Sequence, residues 1–209
     1  MPKIRVFISS KQSEFKSERL GIFDILEQSG YADPVMAEDW SPQRQSVEKT
    51  FLEEVASCPI YVGLFGRIFS QPTEAEYRKA LENPAREVLI YVKNCAEREA
   101  QMQKLVTQLN EAQQGHTIRV YTTWPELRPF FLRHIRDSLS RMIARYLELA
   151  WGSSRGGGGE WSITAKRQLA ILRSIGLPVV DSPQGAHGWV KQLQKAQEYF
   201  DRCGLDHAV

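Results

Sequence analysis

Five short apolar runs, each followed by a segment of helical periodicity, constrain this chain more than any other feature. The runs are residues 3–8, 33–37, 60–64, 87–92 and 117–121. Most are dominated by Ile, Val, Leu, Phe and Tyr, types that suit a pleated strand. Between them, apolar residues recur at helical spacing: Phe15, Ile22, Phe23 and Leu26; Val47, Phe51, Leu52 and Val55; Met102, Leu105, Val106 and Leu109. Such alternation builds a parallel sheet with helices on both faces. The expected architecture is a Rossmann-like, flavodoxin-like α/β fold with five strands in the order 2-1-3-4-5. That order sets strands one and three side by side. Ser9-Ser10 and residues 65–76 then face one another across a crevice, where open α/β sheets bind ligands.

The middle of the chain carries the clearest local signals. Residues 60–64 read as a strand buried on both faces, residues 65–72 as a glycine-bearing turn, and residues 73–83 as a helix. Pro72 before Thr73, with Glu76 three residues on, has the form of a capping box. Gly30 marks a helix end, and Ser41-Pro42 a helix start. Thr123-Trp-Pro-Glu126 opens a long helix running to about Trp151. Residues 152–160, with five glycines, read as a linker. The expected division is an α/β domain over 1–151, the linker, and a C-terminal helical extension over 161–209. That extension fits equally a free-standing module, a docked appendage or part of a larger domain.

Several function classes are disfavoured by composition. A formal net charge of +2 on 209 residues argues against a polyanionic partner, so Arg133, Arg136, Arg141 and Arg145 read as a solvated face rather than a nucleic-acid strip. Cys58, Cys95 and Cys203 are far apart and odd in number, which points to a reducing compartment. His116, His134, His187 and His207 have no ligand spacing, so neither a metal nor a bound cofactor is expected. No apolar run approaches the ~20 residues of a membrane span. The N-terminus enters a strand directly, without the pattern of a signal peptide. A cytoplasmic protein without a membrane partner is the expectation.

Glu76 is the leading candidate for chemistry. As a capping residue it would accept the Thr73 amide. As a functional carboxylate it would sit at the crevice, in a first helical turn whose dipole keeps it ionised. Glu74 is the weaker candidate. Ser9 and Ser10 read either as turn residues or as donors to ribose or phosphate oxygens. Gly63 and Gly66 read as points of close ligand approach, with a positive φ as the plain alternative for Gly66. Asp39 and Trp40 follow the second strand, where they could cap and pack or hold a ribose and stack a base. Phe65 is a second candidate for stacking a base, and Arg19 and Arg67 for reaching a phosphate.

Val6-Phe-Ile-Ser-Ser10, Glu18-Arg19, Cys58-x-x-Tyr-Val-Gly-Leu-Phe-Gly66 and Ser70-x-x-Thr-Glu-x-Glu-Tyr-x-x-Ala80 together resemble an uncharacterised TIR-like domain family. The resemblance spans about residues 3–93. Members of that family stand at the N-terminus of signalling ATPases of the NACHT/STAND type. It is distantly similar to TIR domains and nucleoside 2-deoxyribosyltransferases, which act on N-glycosidic bonds of NAD or nucleosides with a catalytic glutamate. The resemblance implies that Thr73, Glu76 and Ala80 match the glutamate motif, with Glu76 catalytic and Ser70 and Thr73 ligand-binding. Gln71-Pro72 and Arg78 depart from the motif's glycines. Two functions follow as expectations. One is a nucleotide-handling module that binds and hydrolyses an N-glycosidic bond of NAD or a nucleotide, in signalling or defence. The other is a non-catalytic module that self-associates as a homo-oligomer or recruits a signalling partner, its crevice filled by Phe65 and Phe69.

Overall fold

The structure is a computed structural model, describing residues 3–36, 47–111, 117–154, 163–174, 176–178, 180 and 182–205. Its elements run β1 (Ile4–Ser10), α1 (Lys16–Ser29), β2 (Ala32–Val35), α2 (Val47–Ser57), β3 (Ile60–Phe65), α3 (Gln71–Leu81), β4 (Glu87–Lys93), α4 (Ala100–Glu111), β5 (Thr117–Tyr121), α5 (Trp124–Ser154), α6 (Ile163–Ser174) and α7 (Pro183–Leu205). The five strands form one sheet in the order β2-β1-β3-β4-β5, and all pairings are parallel. This is the expected Rossmann-like α/β fold.

Strand alternation divides the core in two. Ile4, Val6, Ile8, Val62, Leu64, Leu89 and Tyr91 pack with α1 and α5. Phe7, Tyr61, Phe65, Ile90 and Val92 point the other way, toward residues of α2, α3 and α4. All six residues of β3 are buried, because the strand lies at the sheet centre with helices above and below. Helix α1 begins at Lys16, later than the apolar spacing suggested, since Glu14 N donates to Lys11 O in a preceding turn (3.0 Å). It ends at Gly30, whose φ of 70° makes the left-handed stop expected there.

The C-terminal helices pack against the long helix. One continuous cluster runs from the sheet through Ile135, Leu139, Met142 and Tyr146 of α5 to Trp189, Leu193 and Phe200 of α7. Tyr146 donates to Pro178 O at 2.8 Å. Helix α5 continues through Ser154, into the first residues read as a linker; residues 155–160 lie outside the described part. Among the described residues no helix is long and apolar enough to cross a membrane.

Two buried charges hold the amino ends of the central strands and the helices beside them in place. Arg86 Nε donates to Cys58 O, and its two other nitrogens donate to Ala80 O and Ala56 O, each at 2.9 Å. One guanidinium thereby satisfies backbone carbonyls at the ends of both α2 and α3. Glu87 accepts from Arg141 at 2.6 Å and Arg145 at 3.1 Å, which ties β4 to α5. Arg141 and Arg145, read from sequence as solvated, are therefore fastened to the sheet.

Candidate active site

The site lies at the carboxyl ends of β1 and β3, where the strand order reverses. Ser9 and Ser10 belong to β1 itself rather than to a turn, so the pleat sends them to opposite faces. Ser10 Oγ accepts from Arg19 of α1 at 2.8 Å. Ser9, which is buried, faces α3 and donates through Oγ to Glu76 Oε2 at 2.5 Å. The pair spans 67 residues of sequence.

Glu76 is not the cap that its spacing suggests. Helix α3 starts at Gln71, with Ser70 as the capping residue: Ser70 Oγ accepts from Thr73 N at 3.4 Å and Thr73 Oγ1 at 3.0 Å. Pro72 takes the second helical position, where its missing N–H costs nothing. Starting two residues earlier than expected moves Glu76 into the second turn and turns it toward β1. The expectation that the helix dipole keeps its carboxyl low in pKa is also overturned. Glu76 is only 7 % exposed, and burial pushes it up to about 7, against the smaller opposing effects of the Ser9 hydroxyl and the Arg19 charge. Glu74, by contrast, spends its carboxylate on Arg78 one turn on, at 2.6 Å.

An open cleft of about 300 Å³ reaches Glu76, at the lower end of the range for small-molecule sites. Ser10, Ser13, Ser70 and Thr73 bring hydroxyls to it, Lys11 a positive charge, and Phe51 and Pro72 apolar surface. Lys11, Ser13 and Phe51 were not singled out from sequence. The first two sit in a loop with no motif, and Phe51 reads simply as one more apolar helix position.

Several predicted contacts are corrected. Phe65 is fully buried and meets Tyr77 edge-on, with ring centroids 5.8 Å apart, so it has no face to offer a base. Gly63 admits no ligand: a Cβ there would lie 2.8 Å from Phe65 Cε2 and 3.0 Å from Tyr61 Cε1. Gly66 has no positive φ; its missing side chain makes room for Glu14 and Phe15. Phe69 packs against the α2–α4 core. Asp39 and Trp40 lie outside the described residues.

The turn between β3 and α3 is held by carboxylates that sequence reading passed over. Glu14 accepts from the backbone N–H of Arg67 and of Ile68, and Glu99 accepts from that of Phe69 at 2.7 Å. Arg98 Nε donates to Gly66 O at 3.2 Å. These bonds place Ser70, and through it the start of α3. Their sequence separations of 30 to 54 residues leave no local signal.

Residues 5–128 match the model of a family described as a domain of unknown function (DUF4062). The chain belongs to that family. The matched span runs from β1 into α5 and contains Ser9, Tyr61 and Glu76. No curated protein matches the chain. Among solved structures, a CMP N-glycosidase of Clostridium botulinum, BcmB, is similar over 62% of this chain and 98% of its own, with 18% identity and a TM-score of 0.46. At that level the likeness has no bearing on chemistry. Among the described residues, no group of three or more His, Cys, Asp or Glu is placed to hold a metal ion.

Proposed function

We propose that this protein hydrolyses an N-glycosidic bond of a nucleotide-type substrate, NAD or a simpler nucleotide, in a signalling or defence setting as its sequence resemblance implies. The observation that carries the reading is the buried Glu76 carboxyl, at the floor of an open cleft at the sheet's switch point and hydrogen-bonded by Ser9. A structural carboxylate is ordinarily paired with a cation or solvated. This one is held poised near neutrality by desolvation, as reacting carboxyls are.

In the proposed reaction the base departs with the electron pair of the C1′–N bond. The ionised Glu76 oxygen stabilises the oxocarbenium-like centre or bonds to C1′. Water then supplies the hydroxyl at C1′ and the carboxylate is regenerated; the water's other proton completes the anionic base of an ordinary nucleotide, or passes to solvent when the neutral nicotinamide of NAD departs. Ser9 keeps its proton on Glu76 and fixes which oxygen faces the sugar. The hydroxyls of Ser10, Ser13 and Ser70 suit sugar and phosphate oxygens. Lys11 offsets negative charge, and Phe51 and Pro72 offer surface for a base in place of the Phe65 first expected.

The test is release of free base from NAD and a panel of nucleoside 5′-monophosphates, followed by chromatography for wild type and Glu76→Gln. Loss on the order of 10³-fold or more in the variant, with its circular dichroism unchanged, is the expected result. The free-protein rate should rise with pH through about 7, as Glu76 ionises. Absence of release from every substrate by wild type, or release that survives in Glu76→Gln, would overturn the proposal.

A further inference from the structure

Beneath the Ser9–Glu76 pair lies a phenol that the proposed chemistry leaves unused. Tyr61 is fully buried and stacks on Phe7, with ring centroids 6.2 Å apart. Its hydroxyl has no partner in hydrogen-bonding geometry among the described residues. An unmet buried donor keeps the whole cost of its lost hydration, so such groups call for an explanation. The groups that act on this hydroxyl are Glu76, Ser9 and, more weakly, Tyr77.

The backbone brings the phenol there. Ser9 pairs with Gly63 across β1 and β3, and Tyr61 lies two residues before Gly63 on the same sheet face. The Tyr61 Cε1 edge fills the space a Cβ at Gly63 would need, so the ring extends along the strand toward the position beside Ser9. Gly63 thus admits the Tyr61 ring where a ligand was first expected. Ser9 Oγ has one proton, given to Glu76; its lone pairs remain for a donor. The Tyr61 ring beside Gly63 has a proton to give, and Ser9 is among the groups that act on it.

We propose that Tyr61 is a positioning residue for Glu76: a small shift of the ring brings its unmet phenol onto Ser9 Oγ, to which it donates, and thereby commits the Ser9 proton to the Glu76 carboxylate. A hydroxyl that accepts one hydrogen bond donates the next more strongly, so the relay favours the ionised carboxylate. It also prevents Ser9 from rotating its proton away when substrate enters. Other charged or titratable groups facing Glu76 among the described residues are Arg19 from α1, Tyr77 beside it on α3 and Lys11 at the cleft rim. The inference rests on Glu76 being the reacting carboxyl, but its principal readout does not require turnover.

The experiment is a pH titration by carbon NMR of protein labelled at the Glu carboxyl and Tyr Cζ positions. In wild type, the Tyr61 Cζ resonance is expected to move with the same midpoint as Glu76. Tyr61→Phe, which keeps the ring, should raise the Glu76 midpoint by about half a pH unit. Ser9→Ala should raise it further, and adding Tyr61→Phe to Ser9→Ala should change nothing. Where base release is measurable, the acid limb of its pH profile should move with the midpoint in each variant. A Glu76 midpoint unmoved by Tyr61→Phe would overturn the relay. So would a shift that persists without Ser9, because it would mean direct contact between Tyr61 and Glu76. Should Tyr61→Phe fail to fold, wild type still decides: a Tyr61 signal indifferent to Glu76 ionisation overturns the proposal, and one that follows it supports it. This titration pattern in a protein without turnover would refute the glycosidase and leave the relay standing.

Discussion

Replacing Glu76 by Gln should make the protein more stable at neutral and alkaline pH. The size follows from the carboxyl's position. It is 7 % exposed, and burial has moved it from the ordinary 4.5 to about 7. At ~1.36 kcal/mol per pH unit, that gap corresponds to about 3 kcal/mol. A carboxyl with a raised folded pKa holds its proton more tightly in the fold than in the unfolded chain. Its favourable contribution is fully present below about 4.5 and is lost as pH rises through about 7. Gln retains the oxygen that accepts from Ser9 and never ionises. The difference in unfolding free energy should therefore be near zero at pH 4, grow across pH 4.5 to 7, and reach about 3 kcal/mol in favour of Gln by pH 8. Urea unfolding of both proteins at a series of pH values measures it. A difference that is independent of pH, or wild type the more stable at pH 8, would refute the reasoning that desolvation controls this group. Combined with loss of base release, the expected result is a function bought with stability.

Three further outcomes follow from the packing. Arg86→Ala strands the carbonyls of Cys58, Ala80 and Ala56 and should lower stability by about 3 kcal/mol in urea unfolding, with partial recovery in Arg86→Lys. Gly63→Ala places a Cβ against the Phe65 and Tyr61 rings and should cost about 2 kcal/mol, measured the same way. Burial pushes the Cys58 thiol up to about 12, so thiol-reagent titration of native protein should label the half-buried Cys95 and Cys203 and reach Cys58 only on unfolding.

The features legible in the sequence are those set by neighbours along the chain. The strands announce themselves as apolar runs because a parallel sheet covered on both faces tolerates little else at its centre, as β3 shows. Their alternation with helices then leaves few orders for the sheet. The glycine stop at Gly30 and the placement of Pro72 near a helix start are likewise local. Chemistry at Glu76 was legible only as a choice between a cap and a reacting carboxyl, because both uses ask for the same residue at the same spacing.

Tertiary structure removed the first of these uses, by taking Ser70 as the cap and turning Glu76 toward β1. It also decided the direction of the carboxyl's pKa, which depends on water excluded by elements remote in sequence. Phe65 and Gly63 have the types expected at a ligand site, yet the pleat points them into the core. Ser9 and Ser10 are neighbours in sequence that the same pleat assigns to different partners. Glu14 and Glu99 hold the β3–α3 turn from distant segments without any pattern of their own. Periodicity and capping act over a few residues and so are written along the chain. Burial, cross-strand register and carboxylate-to-backbone bonds arise only when distant segments meet, and they determine what the cleft can do.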